Sequence, residues 1–236
     1  MRSVTELKGK NCVIFGADSS FGRGLSRHLA GIGLNLGLID LTPKNSGDLV
    51  KNLGKAGVKL INLVVASGDL ESFEKAVKRV KEYLGSIEYL ICSYYFEDDE
   101  NKDELDVEKL SMDKWDNIFR GWVESYFLMA KAVLPHMLNE KRGKIIFVNT
   151  TSGYTGEGEG EGQLTEEGSI YYSTCSSAIT GLMTSMARDI IPLGIEVNGI
   201  ALAPSHGEDE DRILNTVVFL LSDLSYYTCG QIIRLY

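Results

Sequence analysis

Seven short apolar runs, separated by stretches of helical periodicity, constrain this chain's fold more than any other feature. They are Cys12–Phe15, Leu34–Ile39, Leu60–Val65, Tyr89–Ile91, Ile145–Val148, Val197–Ala201 and Ile232–Leu235. Short runs that stay largely apolar read as strands covered on both faces. Between them, Asp69 can cap a helix on which Phe73, Ala76, Val77, Val80 and Leu84 recur at helical spacing. Longer helical patterns run from about Met112 to Met137 and from about Tyr172 to Ile191, and a short one from about Ile213 to Leu221. Strand–helix alternation over the whole length implies parallel strands with right-handed crossovers. The expected fold is therefore α/β, a doubly wound parallel sheet of about seven strands with helices on both faces. No repeat or linker divides residues 1–236, so one domain is expected.

Charge and cysteine usage narrow the function classes. Twenty-four basic against 33 acidic side chains give a net charge of −9, which repels a phosphate backbone and an anionic membrane. Neither nucleic acid nor membrane is expected as a partner. Cys12, Cys92, Cys175 and Cys229 form no CxxC pair, so neither a zinc site nor a disulfide framework is expected. The polar start MRSVTELKGKN is unlike a signal peptide, and no run approaches the roughly 20 apolar residues that span a bilayer. A cytoplasmic location fits. Three acidic stretches break the strand–helix rhythm: Glu97–Asp106, Gly156–Gly168 and Glu208–Asp211. They read as solvated loops, because none has the spaced ligands and turn glycine of a calcium loop.

After the first strand, Gly16-Ala17-Asp18-Ser19-Ser20-Phe21-Gly22-Arg23-Gly24 opens a helix. A glycine-bearing strand–turn–helix lets backbone amides approach a pyrophosphate at a positive helix end. Asp40 ends the second strand, 18 residues after Gly22. An acid there can bind an adenosine ribose and repel a 2′-phosphate, favouring NAD over NADP. A tight turn kept only for packing explains the same glycines.

From Leu7 to Leu235 the sequence resembles the short-chain dehydrogenase/reductase family. FGADSSFGRG is similar to that family's TGxxxGxG turn, and KWDNIFRGWVESYFLMAKAVLPHM to its fourth helix. GKIIFVNTTSG resembles the strand bearing the catalytic serine, and YYSTCSSAITGLMTSMARDIIPLGIEVNGIALAP the YxxxK helix with the strand after it. VVFLLSDLSYYTCGQII resembles its C-terminal end.

The resemblance implies a hydride transfer in which a tyrosine exchanges the substrate proton and a lysine one turn on lowers its pKa. A serine orients the substrate, and an asparagine completes a water-borne relay. Here the tyrosine falls on Tyr172, the serine on Thr150, the lysine on Ser176 and the asparagine on Trp122. A free phenol titrates near pH ~10, and a neutral hydroxyl supplies none of the charge that would lower that value. Loss of acid–base catalysis costs about 10²–10⁴ in rate. An indole, with one donor, cannot relay a proton as an amide with water does. Neither Lys131 nor Lys144 is placed by the pattern beside Tyr172, and Tyr171 has Cys175 one turn on.

The resemblance also implies erosion of the cofactor site. Ser20 replaces the middle glycine of the turn, and the adenine-contacting Asp falls at Ala66. The NNAG stretch reads Cys92-Ser93-Tyr94-Tyr95, and the Pro-Gly beside the nicotinamide falls at Leu202-Ala203. Gly16, Gly22 and Asp40 remain as a vestigial site. No cofactor is expected in this chain, and NAD if any. The substrate lid that follows the Pro-Gly is shortened after Pro204, and His206 in that loop reads as ordinary surface. Thr150 and Tyr172 lie 22 residues apart, more than is usual in the family.

Intact core patterning beside a lost site points to association. In the family the long helix and the tyrosine helix form a four-helix interface between subunits. The expected role is a non-catalytic subunit whose partner is a catalytically active homologous dehydrogenase, met through those two helices. A dinucleotide-sensing or protein-binding module on the same scaffold, and an active NAD-dependent dehydrogenase using Tyr172 without the lysine, are the alternatives.

Overall fold

A computed structural model describes residues 6–41, 46–94, 108, 111–151, 170–202 and 210–235. All seven expected strands form: β1 (Asn11–Phe15), β2 (Asn35–Asp40), β3 (Leu60–Val64), β4 (Tyr89–Cys92), β5 (Gly143–Thr150), β6 (Ile195–Leu202) and β7 (Ile232–Leu235). Every pairing is parallel, in the order β3-β2-β1-β4-β5-β6-β7. The order reverses between β1 and β4, and the crevice beyond the carboxyl ends of strands at such a reversal is where doubly wound sheets bind ligands.

The helices are α1 (Ser20–Gly31), α2 (Ser46–Leu53), α3 (Leu70–Leu84), α4 (Met112–Phe119), α5 (Ser125–Glu140), α6 (Ile170–Ile190) and α7 (Glu210–Leu221). Local chemistry sets their starts. Ser19 caps α1 by accepting from the Gly22 amide, Asp69 caps α3 by accepting from the Glu71 amide, and Ser111 caps α4. Phe73, Ala76, Val77, Val80 and Leu84 are all buried, so the spacing read on α3 marks its core face. One core lies on the face carrying α3, α4, α5 and α6, around Phe15, Phe73, Trp122, Tyr126, Phe147 and Met183. The other lies under α1, α2 and α7, around Ile14, Leu25, Leu36, Ile146 and Val217. Burying each such side chain contributes about 1.5–3 kcal/mol.

Two features differ from the expected pattern. The single long helix from about Met112 to Met137 is instead α4 and α5 joined by a π-helical turn, Arg120–Glu124. The extra residue per turn brings Gly121 and Trp122 inward, and both are buried; such turns recur at functional sites. The sequence reading also passed over α2, a short helix that buries Leu49 and Leu53. Among the described residues, no helix is long and apolar enough to cross a membrane.

Candidate functional site

The turn after β1 is built as tightly as its glycines allow. Gly16 has φ +84 and donates its amide to the Ile39 oxygen at 2.9 Å. A Cβ at Gly16 would collide with the Tyr94 backbone, and one at Gly22 with the Gly16 oxygen. The Ser19 hydroxyl accepts from the Gly22 amide at 3.0 Å and lies 2.8 Å from the Gly16 oxygen, to which it donates. Ser20 begins α1 with its side chain exposed.

At the end of β2, Asp40 is only 4% exposed, and its Oδ1 accepts from the Asp18 amide at 3.0 Å. Burial pushes its carboxyl up to about 6, against the opposing pull of that amide. Arg23 Nη2 pairs with Asp18 Oδ1 at 2.7 Å, and Arg23 Nε donates to the Asp18 oxygen at 3.0 Å. The structure thus joins Gly16, Gly22 and Asp40 as the pattern implied. Asp18, Ser19 and Arg23 belong to the same cluster. The N-cap chemistry of Ser19 was the one sequence signal for any of these three.

The second cluster lies where β5, the π-helical turn and α6 meet. Tyr172 is 3% exposed, and its ring meets Trp122 edge to face with centroids 6.0 Å apart. Ser176, one turn along α6, is fully buried and donates its Oγ to the main-chain oxygen of Thr150 at 2.9 Å. Asn149 adds a second tie, its Nδ2 donating to the Ser176 oxygen at 2.7 Å. Trp122, 1% exposed, packs in the same core as Tyr126. The Tyr126 hydroxyl lies 2.9 Å from the Tyr94 oxygen and 2.8 Å from the Val148 oxygen, tying the tips of β4 and β5 together. Thr150, Tyr172, Trp122 and Ser176 are therefore brought together. Asn149 and Tyr126 were not singled out in the sequence; a polar residue within an otherwise apolar strand was the only clue to the former.

Three lysines among the described residues have these contacts. Lys144 Nζ is held at the opposite end of β5 by Glu196 Oε2 at 2.8 Å, the Ser222 oxygen at 2.9 Å and Ser225 Oγ at 3.0 Å. Lys131 lies over the Phe127 ring at 5.8 Å. Lys114, from α4, lies over the ring of Tyr171 at 5.5 Å. Cys175 follows Tyr171 by one turn, and burial pushes its thiol up to about 12. The Tyr94 ring stacks on Phe15 with centroids 5.5 Å apart, half-buried at the rim of the crevice. Tyr95, Ala203, Pro204, His206, the Gly156–Gly168 insert and the stretch Glu97–Asp106 lie outside the described residues. β6 ends at Leu202 and α7 begins at Glu210, so the connection that would carry a lid spans residues 203–209. Among the described residues, no group of His, Cys, Asp and Glu is placed to hold a metal ion.

The sequence pattern of the short chain dehydrogenases matches residues 10–208. The chain belongs to that family. It is 28% identical to the uncharacterised oxidoreductase YhdF of Bacillus subtilis over 99% of this chain and 84% of that protein. To the oxidoreductase UcpA of Escherichia coli K12 it is 30% identical, over 83% of this chain and 69% of UcpA. Among solved structures, NAD+-bound xylitol dehydrogenase superposes with a TM-score of 0.80 at 20% identity, covering 98% of each chain, a likeness of fold.

Family membership allows a test of fit for a nicotinamide dinucleotide. At the adenosine end, the Gly16 turn and Asp40 keep the residue types and placement required, although the Asp40 carboxylate is buried on the Asp18 amide. The residues at the nicotinamide end do not fit. The side chain at position 176 is a hydroxyl turned onto β5, and an indole packs on the Tyr172 ring.

Proposed function

We propose that this chain is a non-catalytic subunit of a hetero-oligomeric, NAD-dependent short-chain dehydrogenase, whose chemistry is performed by an intact homologous subunit. One observation carries the reading: the Ser176 hydroxyl is buried and bonded to the Thr150 backbone at 2.9 Å, at the position where the family's lysine would meet cofactor and tyrosine. A neutral group committed to the backbone cannot lower the pKa of a neighbouring phenol by charge. Trp122 against Tyr172 supports the same reading. The face expected to meet the partner has the right character, since Trp115, Phe119 and Phe127 on α4 and α5 all retain solvent exposure. The pattern of losses resembles the degenerate subunit of 2-[hydroxy(phenyl)methyl]succinyl-CoA dehydrogenase of anaerobic toluene breakdown, a complex of one intact and one degenerate chain. A hydroxyacyl-CoA-type alcohol, oxidised in the partner, is the corresponding substrate.

Co-expression with an intact homologue encoded nearby is the test. The two chains should co-purify, with NAD-linked turnover lost when the homologue's tyrosine is replaced and kept when Tyr172→Phe is introduced here. NAD-linked turnover by this chain alone, abolished by Tyr172→Phe, would overturn the reading.

A second reading rests on the retained Gly16 turn and Asp40: a module that binds the dinucleotide without turning it over. Titration calorimetry with NAD separates the two. Saturable binding that Asp40→Ala abolishes favours the sensor, and no heat favours the scaffold subunit.

A further inference from the structure

A doubly wound sheet takes its ligand beyond the carboxyl ends of the strands where their order reverses, here β1 and β4. The chain's own residues bridge that space. β1 ends at Phe15 and β4 at Cys92, and Tyr94 lays its ring back on Phe15 with centroids 5.5 Å apart and planes at 25°. Phe15 in turn meets Phe73 of α3 at 5.7 Å and Tyr126 of α5 at 6.2 Å, and Tyr126 stacks on Phe147 of β5 at 5.5 Å. Phe15, Phe73, Tyr126 and Phe147 are all buried, at 1% exposure or less, whereas Tyr94 is half-buried. Tyr94 is therefore the outermost ring of the stack, and it shields Phe15 from the crevice.

The backbone beneath the ring is held as firmly. The Ser93 amide donates to the Phe15 oxygen at 2.7 Å, and Ser93 Oγ lies 3.1 Å from that oxygen and 3.3 Å from the Gly16 oxygen. The Ser93 oxygen lies 3.2 Å from Ser19 Oγ, at the start of α1. On the other side, the Tyr126 hydroxyl lies 2.9 Å from the Tyr94 oxygen. The two turns touch without a gap, because a Cβ on Gly16 would collide with the Tyr94 amide and Cα. Asp40 ends β2 and Thr150 ends β5, with β1 and β4 between them in the sheet. A ligand reaching from Asp40 to Thr150 must cross the place where Tyr94 sits. The ring can leave only by exposing itself and Phe15 to water, which apolar burial opposes.

We infer that Tyr94 is a built-in stopper of this crevice. Its ring, seated on Phe15 and carried on a segment bonded to β1, α1 and α5, fills the space between Asp40 and Thr150 and keeps a dinucleotide from spanning them. The nicotinamide end and the midpoint are then separate losses. At the nicotinamide end the partners are missing. At the midpoint the space is filled, while Gly16, Gly22 and Asp40 remain behind the ring. A filled space can be emptied by one substitution, so removing the ring uncovers the adenosine end. The inference goes beyond the proposed function, since it concerns this chain's crevice with or without a partner subunit.

ADP-ribose is the probe, because it lacks the nicotinamide ring and so does not depend on Ser176 or Trp122. Calorimetric titration of the full chain with up to about 1 mM ADP-ribose should give no saturable heat for the wild type. Tyr94→Ala should bind it saturably, at least tenfold tighter than that limit. Adding Asp40→Ala to Tyr94→Ala should abolish the binding, and Tyr94→Phe, which keeps the ring, should stay silent. Tyr94→Ala uncovers Phe15, so its melting temperature should fall below that of the wild type, and ADP-ribose should raise it again while leaving the wild type unmoved. Tyr94→Val makes the same test if Tyr94→Ala does not fold. Saturable binding by the wild type would overturn the inference, and so would a folded Tyr94→Ala or Tyr94→Val that binds no ADP-ribose. Co-purification with the homologue, measured separately, reports on the proposed function alone.

Discussion

Ser176 donates its hydroxyl to the main-chain oxygen of Thr150 at 2.9 Å, and the Ser176 oxygen in turn accepts from Asn149 at 2.7 Å. Where the resemblance implies a cation, this chain has a clasp between α6 and the tip of β5. The position is fully buried, so its chemistry is fixed by what surrounds it as much as by the residue itself. An ammonium there would lose its water, and the partners this position has among the described residues are main-chain and amide groups rather than carboxylates.

Ser176→Lys should therefore lower stability without restoring turnover. Loss of the clasp alone costs about 1–2 kcal/mol, the figure expected for Ser176→Ala, and the buried cation adds to it. Urea denaturation gives the stability, and an NAD-linked alcohol oxidation assay gives the activity. A stable Ser176→Lys variant with turnover would show that the crevice still admits cofactor and substrate.

Trp122→Asn places at the π-helical turn the residue that the resemblance implies there. Trp122 is packed on Tyr172 and shares a core with Tyr126, so truncation opens a cavity among aromatic rings. Trp-to-small changes in cores cost about 3–5 kcal/mol. A midpoint shift of that size in denaturant is expected, with no gain of activity. A near-neutral effect would mean that Trp122 occupies space kept open for something else.

Gly22→Ala separates fold from cofactor at the turn. A Cβ there would meet the Gly16 backbone oxygen and Ser19 Oγ, the latter at 2.8 Å, with no cofactor present. The Ser19 cap must give way, at about 1 kcal/mol, and the backbone clash adds to that. Destabilisation of the apo chain by more than 1 kcal/mol is the expected result. It would explain why these glycines persist whether or not a dinucleotide ever binds.

These variants show what could be read from the sequence and what could not. The strands were legible because each is short, apolar and covered on both faces, and α3 because its cap and its stripe agree. The π-helical turn was not, because inserting one residue into a turn leaves the 3.6-residue pattern almost unchanged on either side. That Thr150, Tyr172, Ser176 and Trp122 gather in one place was legible from motif order. The direction of the Ser176 hydroxyl was not, since it depends on β5 passing within hydrogen-bond reach of α6. Asp40 was legible as an acid at a strand end, but its bond to the Asp18 amide is set by the path of the turn.

Asp40 gives the pH-dependent prediction. Burial raises its carboxyl from an ordinary 3.8 to about 6 in the folded chain. A raised folded pKa contributes stability that is fully present below pH ~4 and lost as pH rises through ~6. At neutral pH the ionised, buried carboxylate is thus a liability, on the order of 2–3 kcal/mol for a two-unit shift. Asp40→Asn keeps an oxygen for the Asp18 amide at 3.0 Å and removes the charge. It should stabilise the chain relative to wild type at pH 7.5, and the advantage should vanish by pH 4. Arg23, paired with Asp18 at 2.7 Å, lowers the same carboxyl, so Arg23→Ala should widen the difference at pH 7.5. Denaturant midpoints of wild type and variant, compared from pH 4 to 8, measure this directly. A gap that does not change with pH would mean that Asp40 titrates as an ordinary carboxylate and that the turn around it is open to water.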